Sequence, residues 1–315
     1  MSKYRDALPQ LGGRVFLTDG GIETDLIFND GMELPHFAAC HLLRSPRGCA
    51  ALFTYYERYI AIAKADGLGF ILESPTWRAS ADWCAKLGYD RDEVAMVNHA
   101  AIELMRDLRD SHESARTPIV VSGCVGPRGD GYDPGTAMTV EDAEHYHAFQ
   151  IGALAEAGAD MVTAITMTNA SEAAGVARAA AKAKVPVAIS FTLETDGRLP
   201  TGQALADAIR QVDGVTSGAP AYYMINCAHP SHFDNILSAQ ATWTARIRGI
   251  RANASKRSHQ ELNEAPDLDA GNPDELGAQY RALRQRLPQL TVLGGCCGTD
   301  HRHVRCISEA CRAAA

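Results

Sequence analysis

Residues 160–191 read DMVTAITMTNASEAAGVARAAAKAKVPVAISF. This stretch contains two short runs rich in β-branched and apolar residues, DMVTAI at 160–165 and VPVAISF at 185–191. Such runs are typical of buried strands, and the alanine-rich segment between them is typical of a helix. The stretch therefore predicts two parallel strands that are joined by a crossover helix.

The same alternation continues in both directions along the chain. Six further strand candidates are RVFLT (14–18), GFILE (69–73), PIVVS (118–122), AYYMI (221–225), ARIRGIR (245–251) and QLTVL (289–293). Segments rich in Ala, Leu and Glu separate them, as at 52–65, 92–109, 140–157 and 272–287. The first of these segments has the apolar spacing of an amphipathic helix, and the last opens with Asn272-Pro273, a helix start signal.

Eight strands that alternate with helices predict an α/β fold, the (β/α)8 or TIM barrel, as one domain over residues 1–315. An open, doubly wound sheet is the alternative, but its GxGxxG signature is absent after the first strand, where the chain reads DGGIE (19–23). Two long loops, 29–48 and 252–271, would both lie at the carboxyl ends of the strands. Because active sites of barrels form there, we expect the site at that end.

Composition excludes several classes of protein. The 315 residues include 30 Lys and Arg against 38 Asp and Glu, a net charge of −8, so nothing favours nucleic-acid binding. No run approaches the roughly 18 apolar residues of a transmembrane helix, and the first residues do not resemble a signal peptide, so we expect a cytoplasmic protein. Nine cysteines in such a chain point to metal binding or catalysis rather than to disulfides.

Three cysteines follow predicted strands. Cys227 follows the sixth strand, and Cys296 and Cys297 follow the eighth, so a barrel brings all three to one end. Three thiolates around a tetrahedral Zn²⁺ leave a fourth position open, as in catalytic zinc sites. The flanking glycines allow the sharp turn that two adjacent ligands require: Gly294, Gly295 and Gly298.

Simpler explanations exist for several of these residues. The remaining cysteines are expected in the core: Cys40, Cys49, Cys84, Cys124, Cys306 and Cys311. The pair Gly294-Gly295 could bind a phosphate instead, and Asp19 could cap a helix. His229 and His303, each shortly after a candidate ligand, are candidates to support the metal ligands.

The motifs at the strand ends resemble those of the homocysteine S-methyltransferase family. In chain order they are TDGGIET (18–24), TWRAS (76–80), SGCVGP (122–127), SFT (190–192) with DG (196–197), INCAHP (225–230) and GGCCGT (294–299). The resemblance implies a zinc-dependent barrel with Cys227, Cys296 and Cys297 as metal ligands. It also implies that Asp19 holds the amino group of the substrate and that Gly20, Thr76 and Asn226 help to bind that substrate.

The implied reaction transfers a methyl group from a sulfonium or other onium donor to the zinc-bound thiolate of homocysteine and gives methionine. The resemblance implies no catalytic residue beyond that activated thiolate, and the partners are two small molecules, the thiol acceptor and the methyl donor. S-methylmethionine or S-adenosylmethionine is the preferred donor, with betaine second. Aromatic side chains near the strand ends are candidates to surround the onium group: Phe37, Trp77, Tyr132 and Phe191.

Two positions depart from the family pattern. Ile165 stands where family members carry a glutamate that also binds the substrate ammonium, and Arg251 begins RANAS (251–255) where they read Tyr-Pro-Asn-Ala-Gly. Loss of one carboxylate should weaken homocysteine binding. A different thiol acceptor, a barrel enzyme for a phosphorylated substrate and a non-catalytic zinc protein are the alternative hypotheses.

Overall fold

The computed structural model describes residues 2–312, and its strands form one closed barrel. Eight parallel strands follow one another around the barrel in chain order, and β8 pairs with β1. They are β1 (Phe16–Leu17), β2 (Gly69–Glu73), β3 (Ile119–Val125), β4 (Met161–Met167), β5 (Val187–Thr192), β6 (Tyr222–Asn226), β7 (Ile247–Ala252) and β8 (Val292–Gly295). Every predicted strand is present, so the predicted barrel is confirmed and the open sheet is wrong.

Helices alternate with the strands outside the barrel. The α-helices are α1 (Ile22–Thr24), α2 (Pro46–Asp66), α3 (Ala81–Lys86), α4 (Arg91–His112), α5 (Val140–Glu156), α6 (Ala170–Lys182), α7 (Leu205–Thr216), α8 (Pro230–Phe233), α9 (His259–Glu264), α10 (Pro273–Arg286) and α11 (His301–Arg312). All four helical segments named from the sequence coincide with long helices, which are α2, α4, α5 and α10.

The starts of two helices show why they form where they do. At α10 the side chain of Asn272 accepts hydrogen bonds from the backbone N–H groups of Asp274 and Glu275, and Pro273 occupies the first turn, as predicted. At α4 Asp90 and Glu93 form a reciprocal capping box. Each cap satisfies backbone donors that a helix leaves free at its first turn.

The core consists of two layers on either side of the strands. The larger layer lies between the strands and the helices, and α2 packs into it through the predicted apolar stripe: Leu52, Tyr55, Tyr56, Tyr59, Ile60 and Ala63. The smaller layer fills the inside of the barrel with apolar side chains that include Phe16, Ile71, Val120, Met161 and Met224. Polar side chains are also buried on these strands, where Ser122 Oγ lies 2.8 Å from Thr163 Oγ1.

The two long loops contain short helices. Residues 29–48 include the 3₁₀ helices Pro35–Phe37 and Ala39–Arg44, and residues 252–271 include α9. Cys49 and Cys306 are partly exposed, so their predicted core positions are wrong, whereas Cys40, Cys84, Cys124 and Cys311 are buried as expected. Across residues 2–312 no helix combines the length and apolarity that crossing a membrane requires.

Candidate active site

A cavity of about 420 Å³ lies at the carboxyl ends of the strands. Its walls include residues at or just beyond the carboxyl ends of every strand except β5, and both long loops contribute to it, through Phe37 and through Leu262 among others. The loop after β3 adds Asp130, Gly131 and Tyr132. The expectation that the long loops surround the site is therefore confirmed.

Three cysteine sulfurs meet in the wall of this cavity. The Sγ atoms of Cys227, Cys296 and Cys297 all lie within 4.8 Å of one another, and no other group of three potential ligands with this spacing occurs among residues 2–312. This spacing fits one metal ion that binds all three sulfurs. Cys227 and Cys296 are joined as a disulfide here, so this bond must be reduced before both can bind a metal as thiolates.

Backbone geometry aims these sulfurs at the cavity. Cys227 has a positive φ of 51°, an unusual conformation for a residue with a side chain, and Gly298 turns the chain after the cysteine pair with φ 78°. A side chain at Gly294 would overlap Thr18, and one at Gly295 would overlap Thr299. Both glycines thus serve close packing of the chain, and neither lines the cavity as a phosphate site would.

Asn226 ties three strand ends together beside the cysteines. Its Oδ1 accepts hydrogen bonds from the Thr166 backbone N–H at 2.9 Å and from the Ser190 hydroxyl at 2.6 Å. Its Nδ2 donates to Thr166 Oγ1 at 2.8 Å and lies 3.9 Å from Cys296 Sγ. Thr166 has a strained positive φ of 64°. The hydrogen bonds to Asn226 therefore hold β4 in this conformation, in which Thr166 lines the cavity.

Tyr132, in the loop after β3, and His259, in the loop 252–271, contact the cysteine cluster. The Tyr132 hydroxyl lies 3.3 Å from Cys297 Sγ, and the Tyr132 ring stacks on His259 at 4.0 Å between centroids. His259 Nε2 lies 2.6 Å from the Cys227 carbonyl oxygen and Nδ1 lies 3.1 Å from Glu194 Oε1. These contacts fix one loop against the other over the sulfurs.

Asp19 is buried in an ion pair with Arg251. Arg251 Nη2 lies 2.6 Å from Asp19 Oδ1, and the Tyr55 hydroxyl donates to Asp19 Oδ2 at 3.0 Å. The guanidinium also donates to the carbonyl oxygens of Gly20 and Gly295, both at 3.0 Å. Burial raises the pKa of the Asp19 carboxyl, and Arg251 and Tyr55 act against that rise.

Besides the solvent-exposed Asp267, two other carboxylates in the cavity wall have no cationic partner. Neither Glu23 nor Glu73 forms an ion pair with residues 2–312, and Glu73 Oε2 is buried without a hydrogen-bond partner. Burial raises the pKa of each to about 7. Their protonation therefore changes in the physiological range.

Some of the other predicted substrate-binding residues line the cavity, and others lie behind its wall. Gly20 and Ile165 line the cavity, whereas Thr76 and Asn226 are fully buried behind its wall. The Thr76 hydroxyl donates to the Cys124 carbonyl oxygen at 2.6 Å. Thr76 and Asn226 thus hold the wall in place from behind.

Of the four aromatic candidates, Phe37, Trp77 and Tyr132 line the cavity. Phe191 does not, because its side chain points outward into the core and stacks on Tyr223. That prediction was wrong for a simple reason: neighbouring residues of a strand face opposite sides.

The predicted histidines do not reach the sulfurs. His229 accepts a hydrogen bond from the Ser231 backbone N–H at the start of α8, and His303 lies beside the Asp300 carboxylate and the Ala270 carbonyl oxygen. The histidine near the cluster is His259, which sequence reasoning missed, as it missed Glu23 as a site residue. Glu23 had a signal, since it lies in the first motif, four residues after Asp19.

Comparison with known proteins agrees with this geometry. The chain is 25% identical over 327 residues to Homocysteine S-methyltransferase 4 from Zea mays, with 96% of this chain and 91% of the relative covered. It is 24% identical over 329 residues to selenocysteine Se-methyltransferase from Brassica oleracea var. italica, with 97% and 91% covered. Both alignments extend over nearly the whole of each protein.

Solved structures show the same fold. The oxidized form of the homocysteine methyltransferase MmuM from Escherichia coli superposes with a TM-score of 0.77 at 20% identity, covering 96% of this chain and 98% of that chain. The metallated form of the same protein gives a TM-score of 0.72 at 21% identity, with 96% of both chains covered. The TIM barrel is therefore the shared architecture.

A family-level match decides between the hypotheses. The sequence model described as Homocysteine S-methyltransferase matches residues 16–311, which include every motif of the strand ends. A barrel enzyme of another reaction class is thereby excluded, and the predicted family is confirmed. The chain belongs to the homocysteine S-methyltransferase family, the methyltransferases that transfer a methyl group to the sulfur of homocysteine.

Proposed function

We propose that this protein is a zinc-dependent methyltransferase that moves a methyl group from a sulfonium donor to the thiolate of homocysteine and releases methionine. The observation that carries the proposal is the cluster of Cys227, Cys296 and Cys297 in the wall of the cavity. Cysteine sulfurs suit Zn²⁺, and three of them leave a position for the substrate sulfur.

The reaction requires a thiolate, which is scarce in free solution. A thiol of pKa about 8.5 is only about 3% ionised at pH 7. Bound zinc would supply a fully deprotonated substrate sulfur. What the protein adds is position: the cavity holds donor and acceptor together so that the methyl group lies in line with the attacking sulfur.

Charge and aromatic surface favour an onium donor. Six carboxylates line the cavity against two arginines, Arg78 and Arg251, so its wall carries excess negative charge. Phe37, Trp77 and Tyr132 add aromatic faces, which attract onium groups. S-methylmethionine and S-adenosylmethionine are sulfonium donors of this kind, and betaine is the second choice.

The substrate residues divide into two groups in this proposal. Asp19 and Gly20 shape the cavity wall in which the acceptor lies, whereas Thr76 and Asn226 act as positioning residues behind it. Asn226 keeps Thr166 and the neighbouring cysteines in place through the hydrogen bonds given above. We propose the cytoplasm as the compartment, because three free thiolates require a reducing environment.

Metal analysis and a donor panel test the proposal. Protein purified under reducing conditions should contain about one zinc per chain. X-ray absorption should show three sulfur ligands without substrate and four after homocysteine is added. Methionine should form from homocysteine with at least one of S-methylmethionine, S-adenosylmethionine and betaine. A four-sulfur spectrum that homocysteine leaves unchanged, together with no turnover, would instead indicate a structural metal site.

A further inference from the structure

Asp19, to which the resemblance assigns the substrate amino group, already has other partners in this chain. Asp19 binds Arg251 at 2.6 Å and Tyr55 at 3.0 Å, so both of its carboxylate oxygens have partners. The neighbouring position that could carry a second carboxylate is Ile165, an apolar residue in the cavity wall. An ammonium group placed beside Asp19 would also meet the positive charge of Arg251.

Burying an ammonium group without a carboxylate partner is costly, so an amino-acid substrate needs another acid. The cavity wall contains four such groups besides Asp19 and the acid discussed next. Asp130 pairs with Arg78 and Asp269 with Arg257, Asp267 is exposed to solvent, and Glu73 lies deep in the barrel with little exposure. None of these four combines an unpaired carboxyl group with an accessible position inside the cavity.

Glu23 does combine them. It lines the cavity and is half-buried, and its side chain forms no ion pair and no hydrogen bond to any other residue among 2–312. It lies two residues after Gly21, whose backbone packs against the Cys296 carbonyl oxygen, so this part of the cavity wall adjoins the cysteine cluster. It is the middle residue of α1, the helical turn that follows Asp19, so its position is fixed by the same motif.

We propose that Glu23 binds the amino group of the acceptor, and that the Arg251–Asp19 ion pair has displaced this contact from Asp19. The inference rests on the proposed function, because the acceptor must be an amino-acid thiol for an ammonium group to be present. Glu23 is then a residue that determines specificity for acceptors with a free α-amino group.

The test compares two thiols that differ only in this amino group, homocysteine and 4-sulfanylbutanoate, with the donor that the panel identifies. For the wild-type protein, kcat/KM should be higher with homocysteine. Glu23→Gln should lower kcat/KM for homocysteine by about tenfold or more, mainly through KM, and should change the value for 4-sulfanylbutanoate less than about twofold. Glu23→Asp keeps the charge and should retain most of the preference.

Asp267→Asn is the matched control, because it removes an exposed carboxylate at the rim of the same cavity. It should leave the ratio between the two thiols unchanged. Equal losses on both thiols in Glu23→Gln, or no loss on either, would overturn the role of Glu23 while methyl transfer stands. Absence of turnover by the wild-type protein with every donor would remove the proposed function, and this inference with it.

Discussion

Arg251 Nη2 lies 2.6 Å from Asp19 Oδ1, and this contact joins residues that are 232 positions apart in the chain. Asp19 follows β1, Arg251 belongs to β7, and both strands flank β8. Because the Arg251 Nε also donates to the Gly295 carbonyl oxygen, the guanidinium connects all three strands where the barrel closes. The pair therefore has a structural role beside the cysteine cluster.

A double-mutant cycle measures this role. Asp19→Asn should lower the free energy of unfolding by about 3 kcal/mol, because it leaves the Arg251 guanidinium buried without a counter-charge. Arg251→Met should have a cost of similar size, since it leaves the Asp19 carboxylate unpaired. The double variant should lose less than the sum of the two, by about 1–3 kcal/mol. Urea denaturation of the reduced proteins at constant metal content gives these values.

Additive losses in the double variant would contradict direct coupling between the two charges. Arg128→Gln with Asp82→Asn is a matched control, because this pair is joined at a similar distance, 2.7 Å, but lies on the surface. Its coupling energy should be no more than about 1 kcal/mol.

Metal content should depend on three cysteines and not on a fourth that lies nearby. Alanine at Cys227, Cys296 or Cys297 should each remove zinc and activity, because two sulfurs hold the ion much less firmly. Cys124→Ala is the control: Cys124 is buried and lines the same cavity, but it is not part of the cluster. Elemental analysis of the reduced proteins decides, and full zinc occupancy in Cys296→Ala would show that the ligand set is wrong.

The barrel could be predicted from the sequence because each strand carries its own local signal. Buried parallel strands are near-continuous apolar runs, and the eight runs coincide with β1–β8. The cysteine cluster was predictable for a related reason. In a closed parallel barrel all carboxyl ends lie on one side, so cysteines after β6 and β8 must be close together.

Other contacts in the site depend on strand register and on the paths of loops, neither of which a short stretch of sequence predicts. Arg251 of β7 pairs with Gly294 of β8. Because Gly294 has no side chain, this register directs the Arg251 guanidinium toward Asp19. The contact of Tyr132 with Cys297 depends on the path of a loop after β3. The strained φ of Thr166 and its hydrogen bonds with Asn226 could not be predicted, because both depend on three strands at once.

Stability should depend on pH through Glu73. Burial raises the pKa of Glu73 from an ordinary 4.5 to about 7, a rise to which Asp19 adds and which Arg251, Ser122 and Thr163 oppose. The folded protein thus holds this proton more tightly than the unfolded chain does. Its contribution to stability is present below pH 4.5 and is lost as the pH rises through about 7.

Glu73→Gln should remove the part of the pH dependence that is due to Glu73, whereas the part due to Glu23, whose pKa burial also raises to about 7, remains. At pH 8 the variant should exceed the wild-type protein in free energy of unfolding by about 1–3 kcal/mol, and below pH 5 the two should be similar. Urea denaturation across this pH range measures the difference. Glu103→Gln, at an exposed position of α4, should follow the wild-type curve. A Glu73→Gln curve parallel to the wild type would mean that Glu73 titrates normally.

The affinity for zinc should depend on the Tyr132 hydroxyl, which lies 3.3 Å from Cys297 Sγ. A hydrogen bond to a ligating thiolate offsets its excess negative charge and fixes the direction in which the sulfur points. Tyr132→Phe should therefore weaken zinc binding by about tenfold, measured by competition with a chromophoric chelator under reducing conditions. The stack on His259 does not need the hydroxyl, so the loop should stay in place.

Tyr146→Phe is the control for this prediction. It removes a hydroxyl that forms a hydrogen bond with Ser80 at 3.0 Å, outside the cavity wall, and should leave zinc affinity unchanged. Equal zinc affinities of the Tyr132→Phe and wild-type proteins would show that this hydroxyl does not support the metal ligand.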